Sequence, residues 1–442
     1  MNHEINRLIL YSDLGEDEIL RRVADVFEGL EKGKDQAELR SRLLWQGKRI
    51  LDLATAYGFD ENLWQNYLTF LMIGHVHSFA LTCEGRGAGD GSINAIAEAD
   101  FGVFRRLFHY DFSALESALD TDLLTRLSAY RAIPKGENIY NRDVSERVRE
   151  LSRAIAAASS DRQVFDLMVD HYRRFGAGFF GLNRAFRVKE TAEGIRFEPI
   201  SNVDHVVLSD LIGYELQKKA LRENVEAFVA GRAFNNMLLY GDAGTGKSTS
   251  VKAVMNEYWR QGLRVIEINK YQFGLLSQVI SQIKARNYRF MLFLDDLSFE
   301  EDEAEYKYLK AVIEGGLETR PRNVMICATS NRRHLIKETW KDRADMEHDG
   351  DVHRSDTMEE KLSLAARFGC TISYFSPDRK LFESIVRALA ERHPEIRMDE
   401  KALLAAASRW ELRHGGLSGR TAQQFIDDLA GKSAAEQEQS EP

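Results

Sequence analysis

Residues Gly241-Asp242-Ala243-Gly244-Thr245-Gly246-Lys247-Ser248 spell G-x-x-x-x-G-K-S, with Thr249 next in line. The chemistry such a run performs is polyphosphate binding. Its glycines let successive backbone N–H groups turn toward the phosphates, and the N-terminus of a following helix adds its positive end. Lys247 is placed to reach the β- and γ-phosphates, and Ser248 to offer a hydroxyl to Mg²⁺. The flanks suit that role: Met237-Leu238-Leu239-Tyr240 is an apolar, strand-like run ending at Gly241, and residues 247–260 have helical character. A chance glycine turn before a helix is the plain alternative. With every specified position filled and the strand–loop–helix context in place, the pattern implies a bound nucleoside triphosphate.

Phe290-Met291-Leu292-Phe293-Leu294-Asp295-Asp296 is an apolar run ending in two carboxylates, the form of a Walker B strand. In that role Asp295 holds Mg²⁺ through its water shell, and Asp296 accepts a proton from, or orients, the attacking water. A terminal Asp pair also caps helices. The separation from the phosphate loop, which leaves room for one more βαβ unit, favours the catalytic assignment. Many ATPases carry Glu at the second position. Asp is one methylene shorter, so slow hydrolysis is expected, with Glu300 a lesser substitute. Cys327-Ala328-Thr329-Ser330-Asn331 closes the next apolar run. An amide on a strand between the phosphate loop and the Walker B strand can orient the water without adding charge, which makes Asn331 the candidate. An ordinary Asx turn is the alternative. Arg332, Arg333 and His334 follow, facing a neighbouring subunit or solvent.

Two arginines have positions that call for an anion. Asp356-Thr357-Met358-Glu359 has the form of a capping box opening a helix that runs to Ala366-Arg367-Phe368, with Gly369 as its C′ glycine. Arg367 in its last turn either complements the helix dipole or projects into the site of an adjacent subunit. Gly416-Leu417-Ser418-Gly419-Arg420 opens the last helix, and there the dipole disfavours Arg420 unless a partner such as the nucleotide is present. Other constellations carry less. Gly176-Ala177-Gly178-Phe179-Phe180-Gly181 matches G-x-G-x-x-G but follows a helix-like segment, where a dinucleotide site needs a strand. His75 and His77 sit in an apolar run and read as core histidines. Glu347, His348, Asp349, Asp351 and His353 have the composition of a polar loop, without metal-ligand spacing.

These residues need elements to position them. The 442 residues suggest two or three domains. Residues 1–205 show helical periodicity, broken by the glycine-rich stretch at 85–91. Residues 206–376 alternate short apolar strands with helices, the sign of a parallel sheet, with strands expected at 236–240, 264–268, 290–294, 324–329 and 371–375. Ser376-Pro377 reads as a cap followed by a proline, opening a helical segment at 377–430; residues 431–442 have little to bury and are expected to be disordered. Only 6 prolines and 44% hydrophobic residues suit a helix-rich folded chain. The N-terminus, Met1-Asn2-His3-Glu4, lacks the form of a signal peptide. Residues 68–83 are too short and too interrupted to span a bilayer and read as one buried helix. The 3 cysteines lie far apart, indicating neither disulfides nor a zinc site, and a reducing cytoplasm is expected. A formal charge of −9 gives no overall electrostatic case for nucleic acid.

In order, these motifs resemble an AAA+ ATPase module from about 210 to 429. Leu211-Ile212-Gly213-Tyr214-Glu215 resembles the segment flanking the adenine in that superfamily. The runs Asp295-Asp296-Leu297-Ser298-Phe299-Glu300, Ser330-Asn331-Arg332-Arg333-His334-Leu335 and Glu360-Lys361-Leu362-Ser363-Leu364 are similar to a bacterial ATP-binding family catalogued as the eight hundred and fifteenth domain of unknown function. The resemblance implies roles: Lys247 and Ser248 in Walker A, Asp295 and Asp296 in Walker B, Asn331 as sensor 1, Arg367 as arginine finger and Arg420 as sensor 2. Ile212 and Gly213 would flank the base. Ala365-Ala366 before Arg367 is less polar than the family's usual approach to Arg-Phe-Gly, so the finger's supporting contacts differ. The superfamily implies an α/β fold with a five-stranded parallel sheet and a C-terminal helical lid, using ATP and Mg²⁺. It also implies a homo-oligomeric ring, hexameric by preference, with sites between subunits. Three roles remain open: remodelling of a protein client through the N-terminal domain, a nucleotide switch or loader at DNA, and a scaffold that hardly hydrolyses. Tyr271-Gln272-Phe273-Gly274 after Lys270 is either a pore loop or a helix-start staple.

Overall fold

A computed structural model describes residues 1–84, 86–133, 142–191, 194–200, 203–299, 305–314, 321–331 and 364–432. The chain divides into two compact units, Met1–Asn183 with Pro199–Val203, and Arg184–Glu198 with Asp204–Pro442.

The first unit is helical. Its longer helices, Ile19–Glu31, Gln36–Tyr57, Leu63–Gly74, Ile93–Phe108, Arg142–Ala157 and Asp161–Phe175, enclose a core that includes Leu20, Leu43, Leu68, Phe101, Phe104, Phe165 and Tyr172. The single helix expected over 68–83 is instead broken. One helix ends at Gly74, and another, Ser78–Cys83, begins after His77, whose Nδ1 accepts the Ala80 N–H at 3.2 Å. Burial pushes the pKa of His77 down to about 3; its neutral ring therefore serves as a helix cap, with Nε2 3.3 Å from the Tyr11 hydroxyl. The glycine pattern at 176–181 is a turn at Gly176-Ala177 leading into a short helix, Gly178–Leu182; a Cβ on Gly181 would lie 2.7 Å from the Gly176 carbonyl oxygen. No described helix is long and apolar enough to cross a membrane, and all three cysteines are free.

The second unit is built on a sheet. Its strands are β1 (Ala185–Thr191), β2 (Gly194–Pro199), β3 (Met237–Gly241), β4 (Leu263–Glu267), β5 (Arg289–Leu294), β6 (Val324–Ser330) and β7 (Cys370–Tyr374), in the order β2-β1-β4-β5-β6-β3-β7. The five expected strands, β3 to β7, are present and pair in parallel; β3 to β6 are near-continuous buried runs, as strands covered on both faces are, while β7, at the sheet edge, buries only Ile372 and Tyr374. The expected five-stranded sheet is corrected to seven. β1 joins in parallel beside β4, Phe186 against Ile266, and Arg187 Nε donates to Glu267 Oε2 at 2.7 Å. The sheet therefore begins at Ala185, inside the stretch read as helical.

β6 lies between β3 and β5, so the strand ending in the phosphate loop is separated from the strand ending in Asp295 by the one ending at Asn331. Among the described residues three helices follow β7, Arg379–Ala390, Glu400–Arg413 and Gly419–Ala430, around Phe382, Val386, Leu403, Ala407, Phe425 and Ile426. The cap of the first of them is not Ser376. Asp378 Oδ1 accepts the Leu381 N–H at 2.8 Å, while Ser376 is engaged by Asp242. Gly369 is not in the left-handed conformation of a C′ glycine. Its lack of a side chain admits the Asn235 carboxamide. Residues 356–363 of the helix expected before it, the tail beyond 432, Glu300, the run Arg332-Arg333-His334 and the cluster from Glu347 to His353 lie outside the described residues.

Candidate nucleotide-binding site

The phosphate loop joins β3 to the helix Lys247–Tyr258, whose N-cap is Gly246. Gly241, Gly244 and Gly246 take φ of 134°, 75° and 92°, backbone that side-chain-bearing residues rarely adopt. At Gly241 the need is doubled, because a Cβ would run into the Tyr374 carbonyl at the end of β7. The Asp242 N–H donates to that same carbonyl at 2.9 Å. Asp242 Oδ2 accepts from the Ser376 N–H at 2.7 Å and the Ser376 hydroxyl at 2.9 Å, bonds that hold its carboxyl below the usual range. Asp242 thus faces β7, and the loop is tied to its neighbouring strand end.

Lys247 is buried, and Nζ donates to the Gly241 carbonyl at 2.9 Å, the Asp242 carbonyl at 2.7 Å and Asn331 Oδ1 at 3.1 Å. Burial holds its pKa below the ordinary lysine value, with the carboxylates of Asp242, Asp296 and Asp295 acting against that and Arg420 reinforcing it. Ser248 Oγ donates to Asp295 Oδ1 at 2.6 Å. Asn331 bridges: its Oδ1 takes the lysine, and its Nδ2 donates to Asp296 Oδ1 at 2.7 Å. Thr329 Oγ1 donates to Asp295 Oδ1 at 2.5 Å and accepts the Asp296 N–H at 2.9 Å. Three elements, the helix Lys247–Tyr258, β5 and β6, therefore deliver lysine, hydroxyl, two carboxylates and an amide to one point.

These groups line a cleft of about 610 Å³ together with Ile212, Ala243, Gly244, Thr245, Gly246, Thr249 and Arg420. Its apolar lining includes Leu211, Ile212, Tyr214, Ile385 and Leu389. Gly213, expected to flank the base, is not among the lining residues; its φ of 77° and the approach of Leu381 Cδ1 to 2.5 Å from where a Cβ would stand require a glycine there. Arg420 sits in the first turn of the last helix, capped by Ser418 Oγ on the Thr421 N–H at 3.0 Å. The Arg420 N–H donates to the Gly244 carbonyl at 3.1 Å, so the lid is bonded to the loop itself. Arg367 stands outside this cleft, ion-paired with Glu314 at the end of the helix Glu305–Glu314.

Sequence reasoning passes over Thr329 and the lid's share of the apolar lining, Ile385 and Leu389. Thr329 lies two residues before Asn331, the spacing of one strand face, although β6 itself ends at Ser330. Gln423 and Gln424 line the cleft three and four residues after Arg420, on the same helix face. Those periodicities are the available signals. The donor set also suits Mg²⁺, a hard cation that takes oxygen ligands and keeps several waters: a hydroxyl and a carboxylate meet at Ser248 and Asp295. Among the described residues no group of three His, Cys, Asp or Glu could hold a metal by itself, so phosphate oxygens would complete the set.

A family model described as "Protein of unknown function (DUF815)" matches residues 182–433. The replication factor C large subunit of Methanococcus vannielii is 36% identical over 76 residues, 16% of this chain and 15% of that protein. Thermotoga maritima RuvB, titled a Holliday junction branch migration motor, aligns at 17% identity and a TM-score of 0.34, over 50% of this chain and 63% of that one. A mutant of the same Thermotoga maritima protein aligns at 18% identity and a TM-score of 0.35, over 50% of this chain and 64% of that one. The chain thus spans less than two thirds of each of these relatives, too little to transfer a substrate or an assembly. The phosphate loop on β3, the intervening β6, the paired carboxylates after β5 and the helical lid together make this an AAA+ P-loop module, and the chain belongs to the DUF815 family.

Proposed function

We propose that this protein hydrolyses Mg·ATP and couples the cycle to remodelling a protein client, as a ring of like subunits in which a hexamer is favoured. The observation that carries the reading is the convergence of Lys247, Ser248 with Asp295, and Asp296 with Asn331 in one cleft at the start of the helix Lys247–Tyr258. The apolar lining residues of that cleft suit a base, and the glycine loop suits the phosphates. The Lys247 ammonium, held by two carbonyls of its own loop, is poised to exchange them for phosphate oxygens. Asn331 fixes one oxygen of Asp296 and leaves the other to take the water's proton. Arg420 adds positive charge from the lid. Mg²⁺, held by Ser248 and, through water, by Asp295, would supply charge neutralisation between the phosphates.

A client has a candidate seat in the helical unit. A cavity of about 620 Å³ there is lined by Leu14, Leu53, Phe70, Leu71 and Phe179, with Asp13, Glu18 and Asp52 among its polar residues. Phosphate release by the purified protein tests the enzymatic half of the reading. It is expected to require Mg²⁺ and to vanish in Lys247→Ala, while circular dichroism shows that variant folded. Turnover at the wild-type level in Lys247→Ala would end the assignment. Affinity capture with Asp296→Asn in ATP tests the other half: a retained protein fits remodelling, whereas retained DNA would select the loader.

A further inference from the structure

Thr329 is 1% exposed, and its hydroxyl is engaged by the two acidic residues after β5. The Asp296 N–H can only donate, and it points at Thr329 Oγ1 from 2.9 Å. The hydroxyl proton is thereby directed to Asp295 Oδ1, 2.5 Å away. The Thr329 carbonyl also accepts the Leu297 N–H at 2.7 Å. Asp296 needs such a grip, because its φ of 51° lies in the left-handed region that side-chain-bearing residues avoid. Two residues on, just past the end of β6, Asn331 Nδ2 holds Asp296 Oδ1. The side chains of Thr329 and Asn331 thus hold one carboxylate each.

We infer that Thr329 is a positioning residue that sorts the two carboxylates into their roles: its proton keeps Asp295 turned toward Ser248, and its lone pair keeps Asp296 in the backbone conformation that sends its carboxylate to Asn331. Ser248 and Thr329 both donate to Asp295 Oδ1, which leaves Oδ2 outside this pair of bonds and available to the water shell of Mg²⁺. The inference rests on the hydrolytic reading above and adds a residue to it.

Thr329→Val keeps the β-branched shape and removes the hydroxyl; Thr329→Ser keeps the hydroxyl and removes a methyl. Turnover is measured against Mg²⁺ concentration, and binding of a fluorescent ATP analogue with Mg²⁺ and with EDTA. In the valine variant turnover should fall about tenfold or more and the Mg²⁺ requirement should rise, as for losing a hydrogen bond to a charged group. Its affinity in EDTA should stay within about twofold of wild type, and serine should restore most of the loss. Should valine fail to fold, alanine against serine reads the same hydroxyl. A valine variant with wild-type turnover and Mg²⁺ response would overturn the inference, and so would serine and valine failing alike. If the wild type itself releases no phosphate, the hydrolytic reading fails, and the Mg²⁺-dependent binding still judges Thr329.

Discussion

Asp295 and Asp296 are neighbours in sequence with the same side chain, yet their surroundings divide them. Asp295 accepts hydroxyl protons from Ser248 and Thr329 on one oxygen, as a carboxylate facing a hydrated cation would. Asp296, turned by its positive φ, meets an amide instead. Asn in place of each should therefore fail differently. Asp296→Asn is expected to keep Mg²⁺-dependent nucleotide binding and lose about 10²–10⁴ in turnover, the range for a missing general base. Asp295→Asn is expected to weaken binding in Mg²⁺ and leave binding in EDTA near wild type. Stopped-time phosphate assays and nucleotide titrations with and without EDTA separate the two. Normal hydrolysis in Asp296→Asn, with loss in Glu300→Gln, would move the base to Glu300.

At the scale of elements, the seam between β3 and β7 decides whether the loop can form. β7 pairs along β3 from Met237 with Cys370 to Gly241 with Tyr374, and at its end supplies the carbonyl that the Asp242 N–H needs. Beyond β3, Tyr374 OH donates to Ser250 Oγ at 3.0 Å, reaching the helix after the loop. Gly241→Ala would put a methyl into the Tyr374 carbonyl at a φ of 134°. A loss of roughly 1–3 kcal/mol in urea unfolding of the sheet-bearing unit is expected from backbone strain alone, with nucleotide binding lost as well. Gly74→Ala, where a Cβ meets nothing within 4 Å, is the control and should stay within about 0.5–1 kcal/mol. Nucleotide binding retained in Gly241→Ala would show that the seam is not needed.

The same scale explains what is legible in the sequence. β3, β5 and β6 are apolar runs that stop at chemically marked residues, so both strand and site can be read from them; their observed ends differ from expectation by one residue or less. β1 and β2 escape such a reading because Phe186, Val188, Ile195 and Phe197 alternate with Arg187, Lys189, Arg196 and Glu198, a half-buried pattern that stands out less than a continuous run. Ser376 has the look of a cap because serine before proline usually is one; a carboxylate 134 residues away in sequence takes its N–H and hydroxyl. Thr329 is hidden for a similar reason, its partners lying on another strand. What local pattern carries is legible, and what depends on a non-local partner is not.

At the scale of the molecule, the question is whether one chain makes a complete site. Its own cleft has a lysine and a lid arginine but not Arg367, whose guanidinium is paired with Glu314 outside that cleft. A residue meant for a neighbour's phosphate has to lie outside its own site. Fingers of this kind are worth roughly 10³–10⁵ in rate, far more than the ~0.3–1 kcal/mol of a charge at a helix end, so the two roles separate cleanly. Arg367→Ala should bind ATP nearly as wild type and hydrolyse it very slowly, and wild-type specific activity should rise with protein concentration as subunits associate. Alone, Arg367→Ala should turn over only very slowly and Lys247→Ala not at all. Mixed, they should regain activity, because some interfaces then join an intact phosphate loop to an intact arginine. Sedimentation at the same concentrations should show assembly and activity rising together. A monomer with full, concentration-independent turnover that ignores Arg367→Ala would exclude both the finger and the ring.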